Sequence, residues 1–309
     1  MSELACRLEE YLTLRRGLGF KLVGEGWLLA SFVTFADQAG ATRVTTDLAL
    51  AWSRKPAHPS PVYVARRFRV LRGFARYLQA FDPATQVPPE GLLPGANFRP
   101  TPYLYSDADI AALMAAARSL TPELRSATFE TLIGLLAATG LRIGEAMRLD
   151  RDDVDWDAGM LCVRDSKFGK SREVLVHAST LEALRAYSQR RDQLCAHPSA
   201  PSLFVSTRGT RLLHTAIHPA FRQLLGLAGI QERSPSCRPR VHGLRHSFAV
   251  STLLSWYRDG GDVEARIPLL STYMGHIDPA ATYWYLSAAP ELLALAAERL
   301  EQRAGGQHS

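Results

Sequence analysis

No apolar run in the 309 residues approaches the roughly 20 needed to cross a bilayer. The opening Met1-Ser2-Glu3-Leu4 lacks the charged and apolar regions of a signal peptide. A membrane-bound or exported protein is therefore not expected, and the expected compartment is the cytoplasm. Cysteine is scarce, four in all (Cys6, Cys162, Cys195, Cys237), and no two form a C-x-x-C pair. That suits a reducing compartment and gives neither a disulfide framework nor a zinc site. Acidic residues are missing where cations gather: Arg54, Lys55, Arg66, Arg67, Arg69, Arg72 and Arg76 follow one another with no Asp or Glu between them.

What is present is an ordinary globular composition, 47% hydrophobic and 21% charged, long enough for two domains. The net charge of +6 is uneven. Residues 1–100 hold 13 Lys/Arg against 8 Asp/Glu, whereas the rest hold 23 against 22. A polyanionic partner follows from that imbalance. Val64, Phe68, Leu71, Ala75 and Leu78 recur at helical spacing, and Arg66, Arg69, Arg72 and Arg76 fall on a flank of the same helix. One side is expected to pack while the other presents four guanidinium groups. A plain solvated face is the rival reading, but solvated faces usually mix signs.

Apolar periodicity around residues 4–18, 26–39 and 46–52 makes residues 1–85 a small helical domain. Six prolines between Pro83 and Pro102 mark residues 86–104 as a semi-extended linker. The second domain, 105–309, opens with Ser106-Asp107-Ala108-Asp109, a helix start. A strongly apolar helix is expected over 123–139, stopped by Gly140. Short alternating runs at 160–163 and 173–176 around a turn at 166–169 predict a small antiparallel sheet with a charged hairpin tip. Helical patterns return at 181–194, 217–227, 242–256 and 290–303. The fold class is mainly α, with a minor antiparallel β component.

Four stretches carry polar groups that neither packing nor solubility explains. In Thr139-Gly140-Leu141-Arg142-Ile143-Gly144-Glu145 an Arg follows a helix stop and Glu145 lies one turn on, which alone reads as a local ion pair. The hairpin Ser166-Lys167-Phe168-Gly169-Lys170-Ser171-Arg172 gathers three cations suited to a phosphate backbone. In Val241-His242-Gly243-Leu244-Arg245-His246, His242 and Arg245 share a face near a helix N-terminus, where the dipole favours an anion. His246, offset by one position, reads as a packing residue. Finally, Met274-Gly275-His276 is followed by Tyr283 and Tyr285, which point about 200° apart on a helix, so that only one can face a common target.

Taken in order, T-G-L-R-x-G-E, S-K-x-G-K, H-G-L-R-H, G-H and a Tyr nine residues later resemble the catalytic domain of the tyrosine recombinases, the phage-integrase family. The resemblance covers about residues 105–295, and the helical N-terminal region is similar to the family's core DNA-binding domain. It implies catalytic roles for Arg142, Lys167, His242, Arg245, His276 and Tyr285, with Glu145 supporting the first Arg and Arg66, Arg69, Arg72 and Arg76 on DNA. The spacing from His276, with Thr282 three residues before Tyr285, favours Tyr285 over Tyr283 as nucleophile; Lys170 is the alternative to Lys167. The implied reaction cleaves and rejoins double-stranded DNA at a recombination site through a 3′-phosphotyrosyl link, with no metal or ATP. The implied assembly is a tetramer on DNA at the bacterial nucleoid, in a two-domain architecture without an arm-binding module.

The chemistry of those residues fits. Two planar guanidinium groups can hold the non-bridging oxygens where charge builds during attack. A phenol of pKa about 10 needs a base and a cationic surround, which His242 and the two Arg can supply. A hairpin Lys can protonate the leaving 5′-hydroxyl. Rivals are a type IB topoisomerase, a catalytically silent DNA-binding regulator and a metal-dependent nuclease. The last lacks a convincing acidic cluster in the sequence. The stretch Thr282-Tyr283-Trp284-Tyr285-Leu286, with Pro290-Glu291-Leu292-Leu293, is similar to recombinases of bacterial transposable elements. A chromosome-dimer-resolving recombinase is the runner-up.

Overall fold

The computed structural model describes residues 2–93, 101–164, 171–276, 278, 280–288, 291–295 and 297. The chain divides into two compact units, 1–99 and 100–309.

The described residues of the first unit form four helices, α1 (Glu3–Gly17), α2 (Val23–Gln38), α3 (Thr46–Arg54) and α4 (Pro61–Gln79), and all but α2 open on a side-chain cap. Ser2, Thr45 and Ser60 each accept an amide hydrogen bond from the first turn, and Pro61 opens α4, where its missing N–H costs nothing. Phe32, Trp52, Leu71, Phe74 and Ala75 centre the core. The five apolar positions whose spacing predicts α4 are all buried. Arg67 is buried too, its guanidinium 3.9 Å over the Trp52 ring and bonded to the Trp52 carbonyl. Of residues 86–104, Val87 and Leu93 pack on this core, while Tyr103 belongs, with the neighbouring Tyr105, to the core of the second unit.

The second unit contains α5 (Asp107–Arg118), α6 (Glu123–Thr139), α7 (Ile143–Arg148), β1 (Val154–Asp155), β2 (Met160–Val163), β3 (Arg172–Leu175), α8 (Ala178–Leu194), α9 (His214–Leu227), α10 (Val241–Arg258), α11 (Val263–Met274) and α12 (Ala280–Ala288). Ser106 and Asp109 make the reciprocal capping box that starts α5. The sheet is antiparallel in the order β1-β2-β3, with Met160 opposite Leu175 and Val163 opposite Arg172. The fold is therefore mainly helical with one small antiparallel sheet, as the patterning predicts. The turn expected at 166–169 lies outside the described residues, as does most of the helix expected at 290–303, of which 291–295 are helical.

Two helices, α7 and α11, have no counterpart in the patterning of the sequence. The stretch before Met274 is α11, capped at its start by the Asp262 carboxylate and containing Pro268. Residues of α10, α11 and α12 build a second apolar cluster, from Ala249 and Leu253 to Ile267, Leu270, Met274 and Tyr285. Among the described residues, no helix is long and apolar enough to cross a membrane.

Candidate active site

The site begins where α6 stops. Gly140 closes that helix in the left-handed region (φ 61°), and a Cβ there would stand 2.5 Å from the Phe248 ring. Both backbone conformation and space demand glycine. The chain then turns into α7, whose N-terminal Arg142 amide is bonded by the Glu145 carboxylate at 2.9 Å. Glu145 is 3% exposed and also receives the Arg142 side chain at 2.7 Å. Arg172, at the start of β3, meets both its oxygens, at 3.1 and 3.0 Å. Burial alone would raise the Glu145 pKa, but the bonds from Arg172 and from the backbone and side chain of Arg142 outweigh that and hold it at about 2.

The C-terminus of α11 gathers the same cations. Arg172 Nε donates to the Tyr273 carbonyl at 2.8 Å, Arg245 Nη2 to that of Met274 at 2.7 Å, and Arg142 Nη2 to that of Gly275 at 2.9 Å. Three successive carbonyls thus hold three guanidinium groups from three different elements. The negative end of a helix is the natural partner for such a cluster. Arg245, 2% exposed, also bonds the Gly140 carbonyl at 2.6 Å. Burial and the neighbouring Arg142 lower its pKa to about 10, which leaves it charged at neutral pH. Gly275 has φ 67°, and a Cβ there would lie 2.8 Å from an Arg172 nitrogen, so this cap also admits the cluster sterically.

Around these cations stand three histidines and a tyrosine. His242 lies at the open edge of the site; the surrounding walls desolvate its ring, and Arg245 and Arg142 repel a further positive charge, bringing its pKa to about 4. His276 is lowered to about 4 by burial and then by Arg245, Arg142 and Arg172. Both rings are therefore neutral at pH 7. His276 Nδ1 lies 2.7 Å from the Thr282 hydroxyl, which fixes the ring beside α12. Tyr285, 2% exposed, places its hydroxyl 3.1 Å from His246 Nδ1, and its ring is stacked 6.2 Å from that of His276. Tyr283 points outward and is 47% exposed.

The structure brings together Arg142, Glu145, His242, Arg245, His276 and Tyr285 from α7, α10, α12 and the end of α11. Lys167 and its alternative Lys170 lie outside the described residues. Two participants escape a reading by sequence. Arg172 looks like one more hairpin cation, and nothing local shows that it reaches Glu145 and α11. His246 reads as a packing residue, although its i,i+4 relation to His242 was a usable signal; their rings meet edge to face at 4.5 Å.

A family model described as the phage integrase family matches residues 104–291, which include every member of this cluster. The chain belongs to the phage integrase family. A protein that carries the name integrase/recombinase y4rB, from Sinorhizobium fredii, is 46% identical over 309 residues, covering 98% of each chain. Tyrosine recombinase XerC of Azotobacter vinelandii is 31% identical over 241 residues, 78% of this chain and 74% of its own. Among solved structures, the Tn1549 transposon integrase in complex with transposon right end DNA shares the fold, with a TM-score of 0.70 at 16% identity over 98% of this chain and 100% of that one. This phage integrase family member is a tyrosine-type site-specific recombinase, a DNA-binding enzyme of DNA recombination.

The recombinase's basic helix lies outside the matched segment. Acids supplied by other elements meet it. Arg72 donates to the Pro88 and Pro89 carbonyls at 2.9 and 3.1 Å and to Glu90 at 3.1 Å, and its side chain is 15% exposed. Arg76 shares Glu90 at 3.1 Å, and Arg66 lies 3.9 Å from Glu25. Arg66, Arg69 and Arg76 stand exposed on α4. Arg72 instead ties residues 88–90 to the helix.

Proposed function

We propose that the recombinase cleaves and rejoins DNA at a specific site through a 3′-phosphotyrosyl intermediate formed by Tyr285, in the service of a mobile element. The observation that carries this reading is the convergence of Arg142, Arg245, His242 and His276 on Tyr285. Two of the five N–H donors of each guanidinium anchor it to Glu145 or to backbone carbonyls; the others are available to the non-bridging oxygens of a phosphodiester. His242 and His276, neutral before DNA binds, can donate to the same phosphate, and a bound anion raises their pKa and strengthens that contact. Tyr285 attacks phosphorus, the bond to the 5′-oxygen breaks, and Lys167 protonates the departing hydroxyl. Rejoining reverses these steps, and the phosphotyrosyl bond conserves the energy, so no ATP is required. Because Tyr285 is almost fully enclosed, α12 must shift slightly to admit the DNA strand. The likeness in fold to a transposon integrase supports the mobile-element role. A tetramer on the recombination site is the expected working assembly, one active tyrosine per chain.

A suicide substrate whose short downstream fragment, released with a 5′-hydroxyl, diffuses away tests the nucleophile. With EDTA present, the wild-type chain should form a covalent DNA adduct on a denaturing gel, Tyr283→Phe should match it, and Tyr285→Phe should form none. Adduct in the Tyr285→Phe variant overturns the assignment.

On α4, phosphate contacts should come from Arg66, Arg69 and Arg76. Changing these three to Gln should weaken binding to specific and non-specific DNA by similar factors. It should also flatten the log–log salt dependence by up to about 0.9 for each phosphate that the variant leaves unneutralised. Arg72→Gln should act mainly on thermal stability, through residues 88–90. An unchanged salt slope in the triple variant would leave α4 as a solvated face.

A further inference from the structure

We propose that His246 takes the proton from the Tyr285 hydroxyl during strand cleavage and returns it during rejoining. This rests on Tyr285 as nucleophile and assigns the base that serves it. The sequence alone points to His242 for that role, but it is His246 whose Nδ1 stands at hydrogen-bond distance from the phenol, 3.1 Å away. The two rings are tilted by 59° at 5.5 Å, and Trp284 packs edge-on against the histidine at 5.4 Å, so α12 delivers both a contact and a wall. His246 is half-buried and lies one helical turn beyond His242, whose ring abuts it at 4.5 Å.

The step balances without another reactant. As the phenolic oxygen bonds to phosphorus, its proton passes to Nδ1, while the O5′–P bond breaks and the 5′-oxygen takes a proton from the general acid. On rejoining, the 5′-hydroxyl attacks, phenolate departs, and His246 reprotonates it. The groups around His246 suit a base that must release its proton again. His242 adjoins it on α10, Tyr285 faces it from α12, and Tyr103, Arg238 and Arg240 line the same recess from the segments before α5 and α10. The two arginines disfavour a lasting further cation there, while neutral His242 does not oppose a transient one.

His246→Asn tests this, because its Oδ1 can accept the hydroxyl bond near the Nδ1 position yet takes no proton. Single-turnover adduct formation at pH 7 should fall by roughly 100-fold or more, the range for loss of a general base. Between pH 7 and 9 the variant's rate should climb about tenfold per pH unit as the phenol ionises, whereas the wild type stays nearly flat. Incorporating a fluorotyrosine of lower phenol pKa at position 285 should rescue the variant and barely change the wild type. A deficit constant across pH and indifferent to fluorination would make His246 a mere support, and a wild-type rate would remove it from the reaction; either overturns the proposal. His246→Gln, measured the same way, covers the case in which the Asn variant does not fold. Tyr285→Phe run alongside separates the failures: if it still forms adduct, the nucleophile assignment falls, and if it is inert while His246→Asn is fast, only the base assignment does.

Discussion

Arg142→Ala lowers the single-turnover cleavage rate by roughly two to three orders of magnitude while specific DNA binding changes little. Losing one preorganised donor at a developing anion costs about 3–4 kcal/mol of transition-state stabilisation, and each 1.36 kcal/mol is about tenfold in rate. Arg142→Lys recovers only part of the loss. A single ammonium cannot bond Glu145 Oε1, the Gly275 carbonyl and a phosphate oxygen together as the planar fork can. Affinity persists because many phosphate contacts along the duplex share it. Arg245→Ala shows the same kinetic defect with an added structural one, since the Gly140 and Met274 carbonyls lose their donors and each orphaned group costs about 1–3 kcal/mol. Arg142 is therefore the cleaner probe. Equal losses in binding and cleavage for Arg142→Ala would make it a residue that positions DNA and leave the charge stabilisation elsewhere.

Elements with their own start signal or a long apolar stripe were legible from the sequence. α4 shows both, with Ser60-Pro61 at its start and five buried positions at helical spacing, and β2 and β3 alternate plainly. α7 was not, because six residues are too few to show a period. α11 hides behind Gly260-Gly261 and contains Pro268, two breaker signals that its Asp262 cap and packed apolar face override. The site divides in the same way. Arg142, Glu145, His242, Arg245, His276 and Tyr285 sit in recognisable local motifs. Arg172 matters only through groups far away in the chain, the Glu145 carboxylate and the Tyr273 carbonyl. The arginines of α4 carry the converse lesson. The absence of acids within the run says nothing about Glu25 and Glu90, which other segments bring to it. Charge patterning along a helix sees only its own neighbours, while long-range packing decides which cations remain available.

The second large effect concerns Glu145, where fold and site meet. Glu145→Gln destabilises the recombinase by about 3–5 kcal/mol at pH 7, the usual cost of removing one partner of a buried charge network. Arg142 and Arg172 then face each other across a neutral amide that cannot satisfy both. The titration of the carboxylate leads to a similar figure: lowering it from 4.5 to about 2 corresponds to roughly 3 kcal/mol of linked stability. Because the folded-state pKa is depressed, that contribution is complete above the unfolded-state value, near 4.5, and disappears as pH falls towards 2. The gap in melting temperature between wild type and Glu145→Gln should thus be full at pH 6–7, on the order of 6–20 °C for a unit of this size, and should shrink steadily below about pH 4.5. Cleavage should fall with it at permissive temperature, since both arginines lose the anchor that sets their direction. A gap that is absent at pH 7, or as wide at pH 3 as at pH 7, would show that packing rather than charge at Glu145 holds the α7–β3–α11 junction together.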